Sequence, residues 1–204
     1  MTKFLNTGKP ILILGSGGHA KIILDCLQNL GQKEIHYNSP IRSEWFEKIG
    51  IKYVEDENIL QLANNRMQMA TAFLGTSCSD LEDRYNKMDE LLGHGAVFPY
   101  IKHPSAIVSK TAKLGVGSQV LSGAVVNCYS NIKEGAVINT KAIVEHESLV
   151  GSGSHLAPSS VVLGGCSIGN FSYIGAGSIV VQLNKVDDRK FVRAQSLINK
   201  SLDN

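Results

Sequence analysis

A six-residue period runs through the C-terminal half of the 204-residue chain and restricts its fold more than any other feature. Divided from Ile107, residues 107–184 read as thirteen hexads without an insertion. The second residue of every hexad is Val, Ile or Leu, and the sixth is Ala, Ser or Cys in the first twelve, with Asn184 as the exception. A short, fixed period of this kind is the signature of a β-solenoid.

The period has a direct physical reading. Each hexad forms one short flat face, and three faces close a triangular coil. The aliphatic second residue points inward and stacks on its equivalents in the coils above and below, while the small sixth residue lies near the corner. An ordinary β-sandwich would instead show two-residue alternation interrupted by irregular turns. The sequence therefore predicts a parallel β-helix of a little over four coils.

The first hundred residues follow a different pattern, in which apolar strand-like runs alternate with helical spacing. Such alternation indicates a small, Rossmann-like parallel sheet with helices. We expect this α/β domain over residues 1–100, the β-helix over 101–184 and a cap or tail over 185–204. The predicted strands are Ile11–Leu14, Glu34–Tyr37 and Met69–Leu74, and the predicted helices are Ala20–Leu30, Ile59–Asn65 and Asp80–Leu92, with Gly31 ending the first helix.

Composition excludes several classes of function. The net charge of +2 and the scattered Lys and Arg residues argue against a nucleic-acid partner. The sequence has no apolar run of membrane-spanning length and no recognisable secretory signal, so we expect a cytoplasmic protein without a membrane partner. Its four cysteines form no CxxC pair and are interpreted as reduced packing residues with no metal: Cys26, Cys78, Cys128 and Cys166.

Within the β-helix, the segment Glu145-His146-Glu147 is the clearest candidate for chemistry. A histidine between two carboxylates can be oriented by one of them and can serve as a general base near neutral pH. The alternative is a solvated surface histidine. His155 lies nine residues further on, half a coil away, so the two histidines face different sides of one solenoid but could converge across a subunit interface.

The turn Gly15-Ser16-Gly17-Gly18-His19-Ala20 follows the first predicted strand and fits the G-x-G-x-x-A form of the dinucleotide fingerprint. The acidic residue expected after the second strand is missing, because the chain there reads Tyr37-Asn38-Ser39. A nicotinamide-dependent oxidoreductase is therefore disfavoured. A tight turn that binds nothing remains an alternative for these glycines.

Four stretches together resemble the bacterial sugar O- and N-acyltransferases, a family that includes sialic acid O-acetyltransferases and nucleotide-4-amino-sugar N-acetyltransferases. They are Ile11–Ala20, Ile101–Ala106, Val137–Glu147 and Gly153–Pro158, so the resemblance covers nearly the whole chain. The chain departs from this family at two places. It lacks the acidic residue that many members carry after the second strand, and its C-terminus lacks their valine-glycine-proline-alanine-lysine-like stretch.

The resemblance implies a left-handed β-helix, a homotrimer and direct acetyl transfer from acetyl-CoA. It gives His146 the role of general base and Glu147 that of orienting it. It implies substrate contacts for the glycine turn and Asn139, and an oxyanion-stabilising N–H at Gly164. The residues implied to bind the nucleotide sugar are Gly15, Ser16, Gly17, Gly18, His19 and Asn139, and those implied to bind the coenzyme are His155, Gly164, Ile174, Gly175 and Ala176.

We therefore expect an acetyl-CoA-dependent N-acetyltransferase acting on a nucleotide-linked 4-amino-4,6-dideoxyhexose for surface-glycan synthesis, with UDP, dTDP and GDP all open. An O-acetyltransferase of sialic acid or a related sugar is the nearest alternative, and a non-catalytic assembly or binding subunit is another. A zinc hydratase on the same scaffold needs three converging histidines, and His146 and His155 have the wrong spacing for it.

The basic C-terminal segment has two open interpretations. Its cations could contact the phosphates of coenzyme A, or they could belong to a solvated helical cap over the last coil. The residues concerned are Lys185, Arg189, Lys190, Arg193 and Lys200.

Overall fold

The computed structural model describes residues 5–72 and 77–199. Its N-terminal part is a four-stranded parallel sheet of order β3-β2-β1-β4, flanked by helices. The expected small α/β sheet is confirmed. The strands are β1 (Ile11–Leu14), β2 (Ile35–Asn38), β3 (Lys52–Tyr53) and β4 (Gln68–Thr71), and the helices are α1 (Gly18–Asn29), α2 (Glu44–Lys48), α3 (Ile59–Asn64) and α4 (Cys78–Gly93), with a 3-10 turn over Asp56–Asn58.

Local sequence explains the ends of these elements. All four residues of β1 are buried because helices cover both faces of the sheet. Gly31 follows α1 with a φ of +79°, a conformation that favours glycine at a helix C-terminus. A capping box between Ser77 and Asp80 begins α4. Of the predicted strand Met69–Leu74, β4 ends at Thr71, and Phe73 and Leu74 lie outside the described residues.

From Ile101 the chain coils into a parallel β-helix with three flat faces, as the hexad period predicts. Strands 18 residues apart pair in parallel, for example Val137 with His155 on the first face. The first face consists of β5 (Ile101–Lys102), β8 (Gln119–Val120), β11 (Val137–Ile138), β14 (His155–Leu156), β17 (Tyr173–Ile174) and β20 (Phe191–Val192). The second face consists of β6 (Ile107–Val108), β9 (Val125–Val126), β12 (Ile143–Val144), β15 (Val161–Val162), β18 (Ile179–Val180) and β21 (Leu197–Ile198). The third face consists of β7 (Lys113–Leu114), β10 (Asn131–Ile132), β13 (Leu149–Val150), β16 (Ser167–Ile168) and β19 (Lys185–Val186).

Each position of the hexad has its own physical role. The aliphatic second residues fill the interior of the coil, and those from Val120 to Val180 are fully buried. Where the sixth residue is serine, its buried hydroxyl donates to a backbone carbonyl at 2.7–2.9 Å, so no polar group is left unpaired in the corner. The fifth residue adopts the left-handed conformation in every hexad from Gly117 to Gln195, with φ between +52° and +68°.

The coil does not end at Asn184, so the expected tail over 185–204 is wrong as far as residue 199. Strands β19, β20 and β21 continue all three faces. Val186 and Val192 continue the inward aliphatic series, each 4% exposed. Asn184 fits the sixth position because its side-chain amide donates to the carbonyls of Val181 and Gln182. The expected helical cap is not formed by the described residues, and Lys200 lies outside them.

Helix α4 joins the two parts of the molecule. It packs along the corner that follows the third face, where the fifth residues of successive coils form a row. Met88 covers Gly117 and Gly135, the Tyr85 ring meets Phe171 edge-on, and Glu82 accepts two hydrogen bonds from Arg189. None of the helices in the described ranges is long and apolar enough to cross a membrane.

Candidate functional site

His146 lies at the fourth position of its hexad, on the corner after β12, with its side chain 56% exposed. Its Nδ1 is 3.2 Å from Glu147 Oε2, so Nδ1–H donates to the carboxylate in the neutral ring and Nε2 is left to accept a proton. Glu147 occupies the left-handed fifth position, with φ +58°. Because both groups are exposed, this contact contributes little to stability. Its chemical consequence is orientation of the ring.

Gly164 lies one coil further on, directly against the imidazole. A Cβ built on Gly164 would fall 2.5 Å from both Nε2 and Cε1 of His146, so only glycine fits beneath this ring. No acceptor among the described residues takes the Gly164 N–H. Two groups sought by the sequence analysis, a base nitrogen and a backbone donor, are thus adjacent on one corner of one chain.

Asn139 and His155 form a second, buried pair on the first face. Asn139 Nδ2 donates to His155 Nε2 at 2.9 Å, and Asn139 Oδ1 accepts from the Thr140 N–H, which fixes the direction of the amide. The proton of the neutral His155 ring is therefore on Nδ1, and this buried N–H has no acceptor in the described part of the chain. Burial lowers the pKa of His155 to about 3, with His19 and Arg84 adding to the effect.

Polar side chains lie among the apolar residues that pack between the α/β sheet and the first face of the coil. His19 Nε2 donates to Gln119 Oε1 at 2.7 Å, and Gln119 Nε2 donates to the carbonyl of Thr71. Burial lowers the pKa of His19 to about 4. Arg84 of α4 is 1% exposed and donates to the carbonyls of Gly135 and Gly153, while its Nε has no partner among the described residues. The His19 ring thus contacts the β-helix.

Gly15 of the glycine turn lines a cavity of about 570 Å³ at the carboxyl ends of β1 and β2, whereas Ser16, Gly17 and Gly18 are not among its lining residues. Gly15 has a φ of +128° and donates its N–H to the carbonyl of Asn38. Gly17 and Gly18 are exposed at the start of α1, and Gly17 caps the helix with no side-chain acceptor. Ser16 is half-buried. The residues lining the cavity are Leu14, Gly15, Asn38, Ser39, Pro40, Asp56, Ile59, Leu60, Lys87 and Glu90.

Three further residues that the resemblance assigns to the coenzyme lie together after β17. The Ile174 side chain is fully buried inside the coil, so it has no surface to offer a ligand. Gly175 is required by the next coil, because a Cβ there would lie 2.4 Å from the Ala194 nitrogen. Ala176 is half-buried on the corner and accepts from the Gln195 N–H. Any contact here involves Ala176 and the surface beside it.

The basic residues of the last coils have different partners. Arg189 forms a bidentate ion pair with Glu82 and packs over the Phe171 ring. Lys185 lies 3.7 Å from Asp187. Lys190 and Arg193 are exposed and form no ion pair within residues 5–72 and 77–199. These last two are the cations that remain available to an anionic ligand.

All four cysteines are free thiols, and burial raises the pKa of Cys26 to about 12. Within the described segments, no group of three or more His, Cys, Asp or Glu residues is arranged to hold a metal ion.

Two residues of interest were missed in the sequence. Arg84 shares the buried face of α4 with Leu81, Met88 and Leu91, so an arginine on an apolar stripe was a readable signal. Asp56 lines the cavity although it belongs to the acidic run Glu55–Glu57, which resembles an ordinary solvated loop. Nothing in the local sequence distinguishes Asp56 from its neighbours.

Solved structures give the clearest comparison. The perosamine N-acetyltransferase PerB of Caulobacter crescentus, solved with CoA and GDP-perosamine, superposes with a TM-score of 0.84 at 28% identity over 93% of this chain and 88% of that one. The acetyltransferase domain of PglB from Neisseria gonorrhoeae gives a TM-score of 0.84 at 27% identity, over 94% and 91%. It was also solved with acetyl coenzyme A, with a TM-score of 0.82. No family model and no curated protein matches the chain.

These neighbours confirm the predicted left-handed β-helix with its N-terminal α/β domain. They also confirm the resemblance to bacterial sugar N-acyltransferases of the hexapeptide-repeat superfamily and the prediction of an acyltransferase, and the neighbours were solved with CoA or acetyl coenzyme A, in line with the co-substrate expected from the sequence. The roles of individual residues stay predictions.

Proposed function

We infer that the chain transfers an acetyl group from acetyl-CoA to the 4-amine of a nucleotide-linked amino sugar. The reason is its similarity, over nearly its whole length, to sugar N-acyltransferases of the hexapeptide-repeat superfamily. The observation that carries this proposal is the likeness to a neighbour holding both CoA and GDP-perosamine, at a TM-score of 0.84. The acceptor is a 4-amino-4,6-dideoxyhexose destined for a surface glycan.

The corner formed by His146 and Gly164 supplies the chemistry. His146 Nε2 takes the proton of the amine as its nitrogen attacks the thioester carbonyl. Glu147 holds the Nδ1–H, so the ring presents Nε2 and its developing positive charge is balanced. The Gly164 N–H donates to the carbonyl oxygen as negative charge develops there. The new C–N bond forms, the C–S bond breaks, and the coenzyme leaves as its thiol after taking up the proton.

The other assigned residues bind the two substrates. The turn Gly15–His19 receives the nucleotide diphosphate, whose negative charge favours the open N-terminus of α1. His155 lies near the thioester end of the coenzyme, and Asn139, held by its hydrogen bond to His155, lines the same cleft. Lys190 and Arg193 contact phosphates of the coenzyme, and Ala176 lines its path.

The chain works as a homotrimer. His146 lies on the corner after the second face, whereas Asn139 and His155 belong to the first face, and no hydrogen bond among the described residues joins the two sets. A neighbouring subunit brings the base of one chain beside the buried pair of another. This arrangement is the one implied by the sequence resemblance.

The proposal is tested by free-thiol release from acetyl-CoA with a panel of GDP-, UDP- and dTDP-linked 4-amino sugars. We expect turnover with at least one of them. The variant His146→Ala should lower kcat about 100-fold or more, because general-base catalysis contributes roughly 10²–10⁴-fold. The matched control is His94→Ala, an exposed histidine at the end of α4, which should retain full activity. No thiol release with any acceptor, or activity of His146→Ala above a few per cent, contradicts the proposal.

A further inference from the structure

Asp56 is a carboxylate in the cavity beside the glycine turn, and none of the roles described so far uses it. It is the first residue of the 3-10 turn that follows β3, and it belongs neither to the glycine turn nor to β2. A charged group thus lines a cavity whose other walls include the apolar residues Pro40, Ile59 and Leu60.

Asn38 holds the Asp56 carboxylate by a side-chain hydrogen bond. It is the last residue of β2, the place where a doubly wound sheet that binds a nucleotide usually carries an acid for the ribose hydroxyls. Asn38 is 8% exposed, and its Nδ2 donates to Asp56 Oδ1 at 2.6 Å and to the carbonyl of Val54 at 3.0 Å. The amide that replaces the acid therefore holds another acid beside the same strand end.

The same asparagine also fixes the glycine turn. Its backbone carbonyl accepts the Gly15 N–H at 2.7 Å, so Gly15 and the Asp56 carboxylate are both tied to one residue. Asp56 is exposed and lines the cavity, and its Oδ2 accepts no hydrogen bond from the described residues. A carboxylate with one oxygen anchored and one oxygen free is suited to accept hydrogen bonds from a neutral donor such as a hydroxyl.

The cavity has the size and character of a nucleoside site. Its volume of about 570 Å³ lies within the range of small-molecule pockets. Leu60, which is 43% exposed, lines the cavity together with Ile59 and Pro40, and apolar walls of this kind are suited to pack against a base. Negative charge from Asp56 repels phosphate, so the diphosphate belongs at the uncapped start of α1 and the sugar ring beside Asp56.

We propose that Asp56 accepts hydrogen bonds from the 2′- and 3′-hydroxyls of the nucleotide ribose, with Asn38 as its positioning residue, so that the chain selects ribonucleoside diphosphates over 2′-deoxyribonucleoside diphosphates. This inference rests on the proposed function, because it assumes a nucleotide-linked acceptor. It ranks UDP- and GDP-linked sugars above dTDP-linked ones.

The test compares binding of UDP with 2′-deoxy-UDP, and of GDP with 2′-deoxy-GDP, by titration calorimetry. The wild type should bind the preferred ribonucleotide about ten-fold or more tightly than its deoxy form, because a hydrogen bond to a charged acceptor is lost. Asp56→Asn should remove most of this preference by weakening ribonucleotide binding while leaving deoxynucleotide binding unchanged. Glu57→Gln, an exposed acid of the same 3-10 turn that does not line the cavity, is the matched control and should keep the preference.

Equal binding of the ribo and deoxy forms by the wild type overturns the proposal, as does binding of neither. An equal loss of both forms in Asp56→Asn overturns it too, because that pattern indicates a structural role. The same preparations are assayed for thiol release from acetyl-CoA. Ribose preference without thiol release supports this inference and contradicts the proposed function, whereas thiol release without ribose preference does the opposite.

Discussion

His146 and Gly164 occupy the same hexad position one coil apart, and this coincidence is where the candidate chemistry resides. The hexad register already places the two residues on one corner, so their proximity was predictable from the sequence. The orientation of the imidazole was not, because it depends on the hydrogen bond to Glu147 and on the absence of a side chain at Gly164. Both depend on side-chain contacts that the period does not encode.

Gly164→Ala tests this contact. The added methyl would lie 2.5 Å from His146 Nε2, so the exposed ring must turn away from the position in which it accepts a proton. We expect kcat to fall about 10- to 100-fold with little change in thermal stability, because a displaced base loses much of its contribution. Gly93→Ala is the control, since a Cβ there meets nothing within 4 Å. Unchanged kcat in Gly164→Ala contradicts the assigned position of the base.

The buried histidines make stability depend on pH. His155 and His19 have pKa values near 3 and 4 in the folded chain against 6.5 when unfolded. Between these values the two histidines are protonated in the unfolded state but stay neutral in the folded state. Their stabilising effect is complete above pH 6.5 and is lost as the pH falls toward those lower values. Each histidine should reduce the free energy of unfolding by about 1.4 kcal/mol per pH unit below pH 6.5.

Urea denaturation at pH 7, 6 and 5 measures this slope. His155→Gln should have a shallower slope than the wild type, whatever its absolute stability, because one titrating group is removed. His94→Gln, which removes an exposed histidine, should keep the slope of the wild type. Parallel slopes for wild type and His155→Gln are incompatible with a neutral, buried His155.

At the scale of the elements, helix α4 shows what the sequence specified and what it did not. Its apolar spacing predicted a helix, but no local pattern indicated that its partner is the corner row of the β-helix. That contact joins residues about 30 to 100 positions apart, and only the closed coil brings them together. Conversely, β19 to β21 were predictable from Val186 and Val192, whose inward spacing outweighs the polar sixth residue Asn184.

Gly153→Ala should destabilise the chain through this contact. Gly153 has a φ of +66°, and a Cβ there would lie 2.7 Å from the Phe171 ring and 3.3 Å from Tyr85. We expect a loss of about 2–5 kcal/mol in the free energy of unfolding, since a left-handed alanine costs about 1–2 kcal/mol and overpacking adds about 1–3 kcal/mol.

Gly177→Ala is the matched control, because its φ is +67° and its nearest contact is an ordinary 3.8 Å. It should show the backbone cost alone, about 1 kcal/mol. Equal losses in chemical denaturation of the two variants would show that Phe171 and Tyr85 do not crowd Gly153 as described.

At the scale of the whole molecule, the fold was predictable because one period governs half of the chain and each hexad repeats the same physical constraints. The complete candidate site was not, because the residues assigned to it lie on different faces of a single coil. His146 and the Asn139–His155 pair are the clearest case. Their separation makes a site between subunits the simplest way to combine them.

Sedimentation equilibrium tests this assembly. The 22.0 kDa chain should sediment at three times its own mass over a range of concentrations. Mixing His146→Ala with His155→Gln chains, each inactive alone, should restore part of the activity when the subunits exchange, because some interfaces then carry both intact residues. A monomeric mass, or no complementation by exchanged subunits, contradicts a shared site.

Transfer of an acetyl group from acetyl-CoA to a sugar nitrogen can be followed in the product itself. Its most direct measurement is carbon NMR of the product formed from acetyl-CoA labelled with ¹³C at the carbonyl and a GDP- or UDP-linked 4-amino sugar. We expect an amide carbonyl, with a ¹⁵N coupling when the amine is labelled, and product formation about 100-fold or more slower with His146→Ala. An ester carbonyl, or label remaining entirely on the coenzyme, would contradict the account.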